Sequence, residues 1–102
     1  MDNQPFYEMA NFFPKNTGLP ITIWTSIKYK NLNPRVKILD EECKVSISIE
    51  DEPKVLVGKC NSNKIIKQVF KWIKLNKNVL LDYWYQKIDT VELVKNLKSL
   101  KD

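Results

Sequence analysis

The sequence predicts a single α+β domain, a four-stranded antiparallel β-meander followed by two or three C-terminal helices packed on one face. Two observations carry this. Residues 19–57 alternate apolar and polar side chains with a period of two, whereas from residue 62 onward the apolar residues recur at helical spacing. The strand-like segments are joined by short turns and are not interleaved with helices, which favours antiparallel pairing over βαβ units. A chain of 102 residues is one domain's length, and it allows a core that buries about 60–70% of the unfolded surface.

Residues 1–18 read as an entry segment, interrupted by Pro5, Pro14, Asn16 and Gly18. Phe6, Tyr7, Phe12 and Phe13 are expected to pin it to the body, with a short helical turn over Tyr7–Phe12. The domain proper is expected over residues 19–102. Its first strand is Ile21–Lys28, where Ile21, Ile23, Thr25 and Ile27 share one face. Trp24 falls on the other face, so that face should be partly covered. The second strand is Arg35–Leu39, with Val36 and Ile38 inward and Arg35 and Lys37 outward. The third is Lys44–Glu50, setting Val45, Ile47 and Ile49 against Lys44, Ser46, Ser48 and Glu50. A short fourth strand, Lys54–Val57, ends at Gly58.

Ser62 is placed to cap the first long helix, whose stripe is Ile66, Val69, Phe70 and Ile73, widened by Ile65 and Trp72. Asn76-Lys77-Asn78 reads as a break or bend before a second helix over Val79–Gln86. Asp89-Thr90-Val91-Glu92 resembles a capping box opening a last helix that buries Leu93, Leu97 and Leu100. Trp72, Tyr83 and Trp84 read as core, whereas Tyr85 is offset from that face and should be exposed.

Composition narrows the chemistry. The chain has no histidine, so general acid–base work at neutral pH lacks its usual agent. Gly18 and Gly58 are the only glycines, which excludes a glycine-rich phosphate loop. Cys43 and Cys60 match no zinc spacing and have no base motif beside them; both are expected to be reduced, in a cytoplasmic protein. The N-terminus does not read as a signal peptide, and no run is long enough to cross a bilayer. No enzyme, cofactor or metal site is therefore expected. The abundance of lysine, asparagine and isoleucine is the bias that AT-rich coding produces, as in low-GC bacteria, their phages and plasmids.

The net charge of +5 is unevenly placed. Residues 1–58 carry seven basic and eight acidic side chains, and residues 59–102 carry ten and four. The acids bunch as Asp40-Glu41-Glu42 and Glu50-Asp51-Glu52, so the surface should be dipolar. Tyr29, Lys30, Arg35 and Lys37 form a patch that includes the sole arginine. An arginine kept among lysines suggests bidentate geometry, or an ordinary ion pair to Glu50 or Asp51. Lys64, Lys67, Lys71 and Lys74 stack on one helical face opposite the apolar stripe. That row could track a phosphate backbone, or simply be the solvated side of an amphipathic helix.

Taken together, Leu19-Pro20 to Trp24, Pro34-Arg35-Val36-Lys37, Val45 to Pro53, Trp72-Ile73-Lys74-Leu75-Asn76, Leu80-Leu81-Asp82-Tyr83-Trp84 and Ile88 to Leu93 resemble a family of small α+β proteins carried by bacterial chromosomes and mobile elements. Its pattern is a strand meander with Trp-x-x-x-Asn and Leu-Leu-x-x-Trp helices. Related domains in toxin–antitoxin-like gene pairs carry histidines ahead of the second strand. The matching stretch here, Asn33 to Lys37, has none, so activity tied to those histidines does not carry over.

The expectation is thus a non-enzymatic protein–protein interaction module, an inhibitor, antitoxin-like or anti-CRISPR-like component of a bacterial or phage conflict system, acting as a monomer or homodimer. Its partner-binding residues would be Tyr29, Lys30, Arg35, Lys37, Asp40, Glu41, Glu42, Glu50, Asp51 and Glu52. The alternative is a small nucleic-acid-binding domain that uses Lys64, Lys67, Lys71 and Lys74.

Overall fold

The computed structural model describes residues 9–100. Phe6 and Tyr7 therefore lie outside the described residues. The sheet has five antiparallel strands in simple sequence order: β1 (Met9–Phe12), β2 (Ile23–Ser26), β3 (Arg35–Asp40), β4 (Cys43–Ser48) and β5 (Val55–Cys60). One short helix, α1 (Pro14–Thr17), lies between β1 and β2, and α2 (Asn63–Trp84) and α3 (Thr90–Asn96) follow the sheet. The α+β meander is as the sequence predicts, with one strand more. The extra strand comes from the entry segment, where residues 9–12 pair with Ser26 to Ile23 instead of forming a helical turn. A four-residue stretch has too little local preference to choose; the open edge of β2 decides it.

One face of the sheet meets α2. Ile23, Val36, Ile38, Val45 and Ile47 pack with Val69, Trp72, Ile73, Leu80 and Tyr83, all almost fully buried. Each such side chain contributes about 1.5–3 kcal/mol. Phe12, Leu19 and Ile21 close one side of this core and Leu93 of α3 joins it. Ser62 caps α2 by accepting the Ile65 N–H, and Asp89 and Glu92 form the predicted capping box of α3.

The expected break at Asn76-Lys77-Asn78 does not occur; α2 runs unbroken for 22 residues. Asn76 is buried, and its side chain acts as a clamp for the C-terminal segment. Its Nδ2 donates to the carbonyls of Trp72 (3.1 Å) and Lys98 (3.0 Å), while its Oδ1 accepts the Lys98 N–H at 2.7 Å. An asparagine favours turns because its amide competes for nearby backbone groups. Here those groups belong to a distant segment, so the helix continues. A second tie, from the Leu100 N–H to the Thr17 carbonyl at 2.7 Å, holds the same segment to α1. Asn76→Ala should lower unfolding stability by about 2–3 kcal/mol, because both backbone groups of Lys98 lose their partner. Chemical denaturation checks this, and a cost below about 0.5 kcal/mol would remove the clamp from the account.

The largest departure from the sequence reading is covalent. Cys43 and Cys60 form a disulfide, so the described chain has no free thiol. The expectation of reduced cysteines rested on their spacing and on the cytoplasmic reading, and the expected fourth strand, ending at Val57, left Cys60 outside the sheet. In fact β5 continues to Cys60, which lies directly opposite Cys43. A register shift makes this possible: Ser46 faces Val57 and Ile47 faces Val55, leaving Leu56 as the extra residue of a bulge. Gly58, with φ +95°, sits inside the strand rather than ending it. Disulfides persist in oxidising surroundings, so the cytoplasmic expectation loses the thiol argument on which it stood. No helix of the described residues is long and apolar enough to cross a membrane.

Candidate protein-interaction surface

Strand alternation gives the sheet a second face, turned away from the core. No helix is packed on it among the described residues. One row crosses all five strands: Asn11, Trp24, Lys37, Ser46 and Val57 are successive register partners. A neighbouring row sets Leu39, Lys44 and Lys59 side by side across β3, β4 and β5. Arg35, opposite Ser48, belongs to a third. Leu39 is 57% exposed and Val57 61%, whereas Trp24 is half-buried. The face thus combines exposed aliphatic side chains with four cations. At its margin Trp24 and Leu39 line a hollow of about 390 Å³, together with Asn11, Phe13, Pro20 and Asp40.

Of the residues the sequence nominates, Arg35 and Lys37 lie on this face. Asp40, Glu41 and Glu42 occupy the tight β3–β4 turn at one end of the sheet. Glu50, Asp51 and Glu52 lie in the β4–β5 connection at the opposite end, so the two acidic clusters do not form one rim. Tyr29 and Lys30 sit in the exposed β2–β3 connection, the ammonium of Lys30 lying 5.3 Å from the Tyr29 ring centroid. That connection is anchored to α2 by the Lys28 N–H, which donates to the Trp84 carbonyl at 2.7 Å. Arg35 donates from Nε to the Asn33 carbonyl at 3.0 Å.

The helical lysines and the second acidic cluster meet each other. Lys77 pairs with Asp51 at 2.9 Å, and Lys74 approaches Glu52 at 3.9 Å. Lys77 is partly covered and the other three side chains are exposed, so the pairs contribute at most about 1 kcal/mol each, yet they place opposite charges side by side. Asp51 and Glu52 are thereby drawn toward the helix side of the molecule, whereas the Glu50 carboxylate accepts from the Ser48 hydroxyl beside the sheet face. Lys64, Lys67 and Lys71 remain exposed on the outer side of α2. Charge is thus mixed around the end of α2, while the free sheet face carries four cations with Glu50 and Asp40 only at its ends.

The sequence reading did not single out Lys44, Lys59, Leu39 or Val57 as site residues. Lys37 and Lys44 were legible as outward residues from their alternation. Val57 and Lys59 were not, because the bulge at Leu56 resets the alternation of β5 and its extension past Gly58 carries no periodic signal. Among the described residues no cluster of three or more cysteine, aspartate or glutamate side chains is placed to hold a metal ion. No family model, curated protein or solved structure matches this chain.

Proposed function

We propose that this protein is a non-enzymatic protein–protein interaction module, an inhibitor, antitoxin-like or anti-defence component of a bacterial or phage conflict system, and that it meets its partner through the helix-free face of the sheet. One observation carries the surface: Leu39 and Val57 stand more than half exposed on the helix-free face, interspersed with Arg35, Lys37, Lys44 and Lys59. Exposed apolar side chains set among polar ones are a common composition of protein interfaces. The assignment to conflict systems rests on the family resemblance and the small size of the chain. The rival nucleic-acid reading is favoured by the exposed Lys64, Lys67 and Lys71, and weakened by the involvement of Lys74 and Lys77 with acidic side chains.

Affinity capture separates the two readings. The wild type, a Leu39→Asp/Val57→Asp variant and a Lys64→Glu/Lys67→Glu/Lys71→Glu variant are used as baits in cells of the source. A protein retained by the wild type should also be retained by the helix variant. The sheet variant should lose it by about tenfold or more, as removal of buried apolar interface contacts does. Loss on the helix variant with retention on the sheet variant would reject the proposed surface.

A further inference from the structure

The chemistry of the same face points to the kind of partner it fits, an inference that rests on the proposed function. Lys44 and Lys59 are direct register partners across β4 and β5, and both are exposed. Like charges placed directly opposite in an antiparallel pair repel and weaken the sheet. This pair lies on an edge strand that already carries a bulge and a positive-φ glycine. Lys37 is on the adjoining row, beside Trp24, and Leu39 lies next to Lys44. Carboxylates at this position would relieve the repulsion on binding.

The hollow beside Trp24 adds an apolar element. Phe13, half exposed, stands at its edge with Leu39, and Asp40 is the one carboxylate in its lining. A partner that seats an apolar side chain there would bring its flanking residues over Lys37, Lys44 and Lys59. Aromatic stacking surfaces, which single-stranded nucleic acids need, are sparse: the hollow's edge adds Phe13, but among the described residues the rows of this face hold a single aromatic ring, the half-buried Trp24. Aliphatic side chains in its place favour a protein.

We infer that the helix-free face binds an acidic protein segment, one apolar side chain entering the hollow beside Trp24 and carboxylates meeting the Lys37, Lys44 and Lys59 ammonium groups. Complementary charge of this kind sets orientation and steers association, and it weakens as salt rises.

The test uses the full-length, isotope-labelled protein and three probes. They are a twelve-residue glutamate-rich peptide with one central phenylalanine, the same peptide with every glutamate changed to glutamine, and a twelve-nucleotide oligothymidylate. The acidic peptide should shift resonances of Trp24, Lys37, Leu39, Lys44, Val57 and Lys59, and salt should weaken its binding. The Lys44→Glu/Lys59→Glu variant should bind it about tenfold less tightly. The single Lys59→Glu change should raise the melting temperature by a few degrees while weakening binding, because it turns a repulsive pair into an attractive one. A purely structural lysine would not show that opposition.

Equal binding of the acidic and glutamine peptides on this face would overturn the acidic partner while leaving the interaction surface intact. Binding of neither peptide, or stronger binding of the oligothymidylate on the same face, would also overturn it. Loss of the captured protein by the helix variant alone, in the preceding experiment, is a separate result that removes the surface itself.

Discussion

Gly58→Ala is expected to destabilise the protein by at least about 3 kcal/mol, two mechanisms acting together. The backbone of Gly58 has φ +95°, a conformation that costs a non-glycine residue on the order of 1–2 kcal/mol. The added methyl would also collide with the Lys44 carbonyl oxygen and stand 2.9 Å from the Val45 Cα. Both atoms are backbone of the paired strand, so no side chain can swing aside. The strand itself must move, and it is the strand that brings Cys60 opposite Cys43. Denaturant unfolding of the variant measures the cost. A loss under about 1 kcal/mol would mean that β5 does not approach β4 as closely as described.

Removing the disulfide should be almost as damaging. The bridge closes a loop between residues 17 apart in sequence. By the chain-entropy relation that restricts the unfolded ensemble by about 3 kcal/mol. The Cys43→Ser/Cys60→Ser variant should therefore unfold at a markedly lower denaturant concentration. The wild type treated with a dithiol reductant should coincide with it. Because neither sulfur is a free thiol, alkylation should require reduction first, even in denaturant that exposes both residues. Immediate alkylation of the untreated protein at both cysteines would contradict the bridge. The Gly58 and cysteine changes act on the same strand pair, so their costs should not simply add.

How much of this was legible beforehand depends on where the information lay. The period of two in residues 21–50 places Val36, Ile38, Val45 and Ile47 in the core, because alternation along a strand is a local property. The caps Ser62 and Asp89 are local too, since each side chain bonds a backbone group three residues on. What escaped was non-local. Asn76 looks like a helix breaker until Lys98 is brought beside it. Cys60 looks unpaired until the bulge at Leu56 extends β5. Residues 9–12 have no strand signature of their own, and acquire one from the edge of β2.

The same distinction governs the candidate surface. Arg35 and Lys37 could be named from alternation, and the lysine row of α2 from helical spacing. The juxtaposition of Lys44 with Lys59, and of Leu39 with Trp24 around a shared hollow, depends on register across strands. So does the drawing of Asp51 and Glu52 toward Lys77 and Lys74, which splits the acidic clusters that the sequence grouped as one surface.

Lysines on both sides of the molecule provide a direct footprint of the bound state. Amine acylation of the protein, alone and with its captured partner, can be read site by site by mass spectrometry. The account predicts that Lys37, Lys44 and Lys59 are labelled about tenfold more slowly in the complex, as desolvated interface cations should be, while Lys64, Lys67 and Lys71 react as before. Protection of the three helical lysines with unchanged labelling of the sheet lysines would contradict it.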